Sequence, residues 1–210
     1  MGETQGTLEG MTMPIRVEAY TAGGILTGLL ARAGSIRDAL EASPAVTVEA
    51  SRWLPLDGSP ERSSGQVEIA VDDLILVVPD APGHAPVHAQ WHSVEIDAGP
   101  YGVHGEMPTM PGFDPGRALA RPTGEFVLLR DARIRLLDRD DAGEATAAEL
   151  LVNRYAVDRV EADLMLGFFF PGAAMAVTGS AGTALAAGTD APPVATDAPP
   201  VAMDAPGPPA

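Results

Sequence analysis

Residues 17–28 read VEAYTAGGILTG, and residues 94–105 read VEIDAGPYGVHG. Both open on Val-Glu and both end in Gly eleven positions later. The likeness continues beyond these words. Val17 to Val94 and Gly28 to Gly105 are each 77 positions apart, and Ala39-Leu40 to Ala118-Leu119 is 79. Leu56-Asp57 to Leu137-Asp138 is 81, and Ile69 to Val152, Leu74 to Val157 and Val77 to Val160 are all 83. The offset grows only where loops intervene, and loops tolerate insertion. Element order, turn places and register are kept together, which is the mark of an internal duplication.

The first copy begins with β-like stretches 15–20 and 24–31 around a Gly-Gly turn. A short helix is expected at 35–42, with Ser35 as N-cap and Ile36, Ala39 and Leu40 on one face. Strands at 45–56, 66–71 and 73–78 follow, with a polar turn at 57–65, and Pro79 closes the copy. The second copy repeats the order. Strands are expected at 91–97 and 101–107, and a helix at 114–121 with Asp114 as N-cap and Pro115 at its first position. Strands at 125–138, 148–153 and 155–160 complete it.

Strands this short make a poor open sheet with both edges bare. Curling into a small barrel removes the edges, and Gly28 and Gly105 stand where a strand must bend. Two units of about 65–75 residues are each marginal, so packing against each other is expected. The fold expected is therefore mainly β: two tandem five-stranded small barrels, each with a short helix after its second strand. The boundaries are a flexible 1–13, repeat A at 14–80, a linker at 81–89, repeat B at 90–163, an apolar packing segment at 164–177 and a disordered tail at 178–210.

The stretches VEAYTAGGILTGLL, AVTVEASRWLPLDG and VEIAVDDLILV, with RDARIRLLD and LLVNRYAVDRV in repeat B, resemble the Sm-like small barrel. They are also similar to an uncharacterised bacterial domain of that outline with a short helix after its second strand. The resemblance spans about residues 15–163. It implies five-stranded barrels that associate through edge strands, either as a two-subunit arc of a ring or as a closed pseudo-dimer. Sm-like proteins that bind RNA carry Asp and Asn after the second strand and an Arg-Gly pair before the last. Here short helices replace the first set. In the second place repeat A has the acidic Val71-Asp72-Asp73, and repeat B has Asn153-Arg154-Tyr155.

The chain carries 13 basic residues, all Arg, against 29 acidic ones, for a formal charge of −16. That surface repels phosphate backbones and anionic membranes, which counts against general nucleic-acid binding. With no Cys there is no disulfide, thiolate or Cys metal site. No basic start precedes an apolar run, and no apolar run reaches the roughly 18 residues of a spanning helix, so a cytoplasmic protein is expected. The tail repeats TDAPPVA at 189–195 and 196–202, and this composition builds no core.

His84, His88 and His92 are spaced by four, but Pro82, Gly83 and Pro86 rule out the helix that would make a zinc face of them. His104 stands apart, and no metal site is expected. Asp72-Asp73 and Asp140-Asp141 fall at turns and read as solvated acids. Asn153 and Arg154 end a strand, either as turn residues or as a small ligand or RNA site. Arg130, Arg133, Arg135 and Arg139 form the most basic stretch, with Arg133 and Arg135 on one face and Ile134 and Leu136 opposite. Phe168, Phe169 and Phe170 cannot all face one way in a strand, so this segment is expected to close the seam between barrels or to form a protein interface. No phosphate loop, nucleophile elbow or dinucleotide fingerprint is present. The sequence therefore points to a non-catalytic protein-interaction or assembly module without a cofactor, with a protein partner or self-association. RNA binding through Asn153, Arg154 and the 130–139 strand is the second reading, and a metal or small-ligand sensor the third.

Overall fold

In the computed structural model the described residues are 13–32, 35–80, 88–109, 124–139, 143–166 and 168–177. They form eleven strands in one sheet. β1 (Met13–Tyr20), β2 (Gly24–Arg32), β3 (Ala45–Pro55), β4 (Arg62–Ala70) and β5 (Leu76–Pro79) belong to the first half. β6 (Gln90–Ala98), β7 (Tyr101–Thr109), β8 (Phe126–Leu136), β9 (Glu144–Asn153) and β10 (Val157–Ala162) form the second, and β11 (Ala174–Val177) follows. The sheet order is β11-β10-β6-β7-β8-β9-β5-β1-β2-β3-β4. All neighbours are antiparallel except β10 and β11.

Each half keeps the same internal order, β5-β1-β2-β3-β4 and β10-β6-β7-β8-β9. The expected barrels do not close. β4 does not pair with β5, nor β9 with β10. The outer edge of β5 is taken by β9 of the other half, through Leu76↔Val152 and Val77↔Leu151. The edge that would seal a barrel instead joins the halves, so one mixed sheet replaces two closed units. Two open halves standing apart would leave four bare edges, and the seam covers two of them.

The bends expected at Gly28 and Gly105 are present as paired irregularities. The register of β2 on β3 shifts between Thr27 and Leu29, and that of β7 on β8 between His104 and Glu106. Opposite these shifts, Ala50 and Asp131 hold positive φ of 46° and 49°. Each is the extra residue of a bulge, and the bulge resets the side-chain alternation. In β3 the buried positions run Val46, Val48, then Ser51; in β8, after Phe126 at its start, they run Val127, Leu129, then Ala132 and Ile134. Without that reset, the long strands would turn their apolar face to water halfway along.

The helix α1 (Ile36–Glu41) forms as expected and has a full capping box, Ser35 bonding Asp38 N and Asp38 bonding Ser35 N. Its Ile36 and Leu40 are buried. The helix expected at 114–121, most of the 81–89 linker, His84, Asp140-Asp141, the N-terminal 1–12 and the 178–210 tail lie outside the described residues.

The core is in two parts that trade residues. The first contains Val17, Leu26, Leu40 and Val48 of the first half together with Phe126 and Leu151 of the second. The other contains Val94, Met107, Leu129 and Leu150 of the second half together with Tyr20, Ile75 and Leu76 of the first. Leu166 and Phe170 complete that second cluster, both fully buried. Among the described residues no helix is long and apolar enough to cross a membrane.

Candidate functional site

The unclosed side of the first half leaves an apolar dent. Its wall starts at the β1–β2 turn, where Thr21 Oγ1 accepts from the N–H groups of Gly23 and Gly24 at 3.2 Å. The Trp53 indole lies against this turn. A Cβ at Gly24 would come within 2.6 Å of Trp53 Cζ2 and of the Leu54 carbonyl, so the approach requires glycine. Ile69, at the end of β4, and Ile75, just before β5, form the opposite wall. A 3-10 turn at Val71–Asp73 separates them and places exposed Asp72 and Asp73 at the rim. The cavity measures about 430 Å³.

Beside the dent runs β4, the last strand of the sheet. Arg62, Ser63, Ser64, Gly65, Gln66 and Glu68 are exposed along it, and among the described residues no strand pairs with its outer side. A bare edge offers a row of backbone donors and acceptors. Dent and edge together suit an extended chain that bonds along β4 and sets one side chain against Trp53.

The arginines singled out in the sequence lie elsewhere. Arg133 and Arg135 point outward from β8, with Ile134 buried opposite, as expected. Cross-strand register places Arg159, Asp97, Gly102, Arg135 and Glu144 in one row across β10, β6, β7, β8 and β9. Gly102 leaves a gap there, a notch of about 50 Å³ that Arg133, His104 and Glu95 also line. Arg159 is held by Asp97 at 3.2 Å and by Glu161 at 2.6 Å. Among the described residues, no such bond ties down Arg133 or Arg135. Arg130 differs: its Nε donates to Glu106 at 2.7 Å while its guanidinium covers Trp91 at 3.7 Å.

Asn153 is buried at the seam, and Arg154 is buried next to it in the chain. Asn153 Nδ2 donates to the Leu74 carbonyl at 3.0 Å, its N–H reaches the Ile75 carbonyl, and its Oδ1 accepts from Tyr155 N. Arg154 Nη2 donates to the Phe168 carbonyl at 2.6 Å. These contacts spend both side chains on the fold. Phe168 and Phe169 are half-buried and packed on each other, centroids 4.6 Å apart, while the fully buried Phe170 is core and presents no surface to a partner.

Among the described residues, His88, His92 and His104 form no joint site. His92 bridges Thr109 Oγ1 at 3.0 Å and Asp163 Oδ1 at 3.2 Å, a hydroxyl–imidazole–carboxylate chain. Thr109 is only 4% exposed and also faces the Gln90 carbonyl. His104 lies 3.4 Å from Ser93 Oγ, and His88 is exposed. Among the described residues there is no cluster of three His, Asp or Glu able to hold a metal.

No family model, curated protein or solved structure matches this chain. What the chain can bind therefore rests on its own geometry. Sequence reasoning found Asp72-Asp73 but read them only as solvated acids, and it missed Trp53, Thr21, Ile69 and Ile75. The available signal was a lone Trp in a strand of the first copy at the place of Ile134 in the second. That swap marks a position where the first core is not sealed.

Proposed function

We propose that the chain is a non-catalytic protein-interaction module, with the gap beside β4 as its binding face. The carrying observation is the Trp53-walled dent lying next to an unpaired strand. An extended partner segment bonding along β4 gains main-chain affinity, and a side chain seated against Trp53 gives selectivity. Asp72 and Asp73 at the rim, with the −16 charge of the chain, favour a segment carrying Arg or Lys beside its apolar anchor. The strand order of each half and the strand-to-strand seam support the resemblance to Sm-like repeats joined edge to edge.

The test is a peptide panel of alternating apolar and basic residues titrated against the full chain. Trp91→Phe leaves Trp53 as the sole fluorescent reporter. Binding peptides shift Trp53 emission, Trp53→Ala weakens them at least about tenfold, and Asp72→Asn with Asp73→Asn reduces their salt dependence. A panel that moves neither Trp53 emission nor the β4 amide resonances refutes the reading.

One observation favours RNA as a second reading: Arg133 and Arg135 stand outward in a row with Arg159. Glu95, Asp97 and Glu144 interleave with them, which weakens the field any phosphate meets. A gel shift on short single strands with no salt-sensitive complex removes this reading.

A further inference from the structure

The seam between the halves has a counterpart at the two ends of the sheet. At the seam, β9 lies on β5 with Leu151 opposite Val77 and Val152 opposite Leu76. The duplication offset of 83 maps β9 onto β4, so that Glu68 stands for Leu151 and Ile69 for Val152. The same offset maps β5 onto β10, so that Arg159 stands for Leu76 and Val160 for Val77. Laid on β10 of a second copy in the seam register, β4 would therefore continue the sheet from chain to chain. Such a contact is head-to-tail, and it propagates rather than closing on a pair.

β11 occupies the edge this contact needs. It runs parallel along β10 with Ala174 opposite Arg159 and Met175 opposite Val160, the two residues that would receive β4. It is four residues long and none of them is fully buried, whereas neighbouring β10 buries Val157, Val160 and Ala162. Glu68 adds a second obstacle. Leu151, whose place it takes, packs into the core beside Val77. A carboxylate carried into that place would lose its water without a partner, at a cost that disfavours the contact.

We propose that β11 is a guard strand, covering the edge on which β4 of a second copy would otherwise extend the sheet, with Glu68 as a second barrier. The inference shares with the proposed function only the open β4 edge. Peptide capture is measured on the intact chain, and self-association is measured without peptide, so either can fail alone.

Light scattering over a concentration series on the full-length chain tests it. Met175→Pro with Ala176→Pro removes whichever N–H faces β10 while keeping Leu166 and Phe170. The wild type and Glu68→Leu stay monomeric, and the proline pair self-associates. Adding Glu68→Leu to the proline pair tightens association at least about tenfold. A synthetic peptide of residues 171–177 returns the proline form to monomer. A monomeric triple variant overturns the proposal. So does Glu68→Leu that associates equally well with β11 intact, or association that the peptide does not reverse.

Discussion

The Tyr101 hydroxyl donates to the carbonyl oxygen of Thr21 at 2.8 Å, from the first turn of the second half into the first turn of the first. The two tyrosines at this junction, Tyr20 and Tyr101, meet edge to face at 5.3 Å. Tyr101→Phe keeps the ring and leaves the buried Thr21 carbonyl without this donor. A loss of about 1–2 kcal/mol is expected in urea unfolding.

Burial pushes the phenols of Tyr20 and Tyr101 above the ordinary value of 10.0, and in Tyr20 the charge of Glu18 adds to it. A raised value contributes stability that is complete below the unfolded-state pKa and is lost as pH rises through the folded one. Absorbance at the phenolate band should therefore rise for these two side chains only as the fold opens in alkali. A titration in which both ionise near 10 with the fold intact contradicts this.

The opposite sign holds at α1. The Asp38 carboxyl lies below its usual value because of hydrogen bonding to the Ser35 side chain and then its backbone. Its contribution is present above the unfolded-state pKa and disappears as pH falls through the folded one. Asp38→Asn should remove that acid-side component, and the carboxyl carbon shift of Asp38 in an NMR titration checks the direction directly.

Gly28 and Gly105 occupy equivalent bulges but differ in room. A Cβ at Gly28 would come within 2.5 Å of Val48 Cγ1 and 2.6 Å of the Glu49 carbonyl; at Gly105 the nearest atom is 3.2 Å away. Gly28→Ala should cost about 2–4 kcal/mol and Gly105→Ala under about 1.5 kcal/mol. Equal melting shifts for the two would refute the difference.

Asn153→Ala removes the side-chain bond to Leu74 and the one that shapes the turn at Tyr155. About 1–3 kcal/mol is expected, as a shift in the single unfolding transition. Two separate transitions would mean the halves unfold independently, contrary to their shared cores.

The duplicate order, α1 with its cap and the two bends were legible because each is written locally. Ser35 and Asp38 sit three apart, and Gly28 and Gly105 keep their offset. The seam was not legible. Leu76 and Val77 read equally well as a strand closing on β4 or one opening onto β9, since backbone pairing carries no address in a sequence. Asn153 shows the same limit: the chain spells a turn residue, and only the fold sets Leu74 beside its amide. Arg133 and Arg135 were placed on their face correctly because alternation fixes it, although the reset at Asp131 was not anticipated. β11 was hidden in a run rich in Gly and Phe, where four residues of alternation are too few to read.

The exchange of Phe126 and Leu151 for Tyr20, Ile75 and Leu76 has a consequence for how the chain is made. During synthesis the leading half emerges first, yet its last strand has no neighbour on one side until Leu151 and Val152 have been added. It must wait, partly greasy and exposed, for sequence some 75 residues downstream. The nascent chain thus passes through a vulnerable interval, in which a holding chaperone has its natural opening.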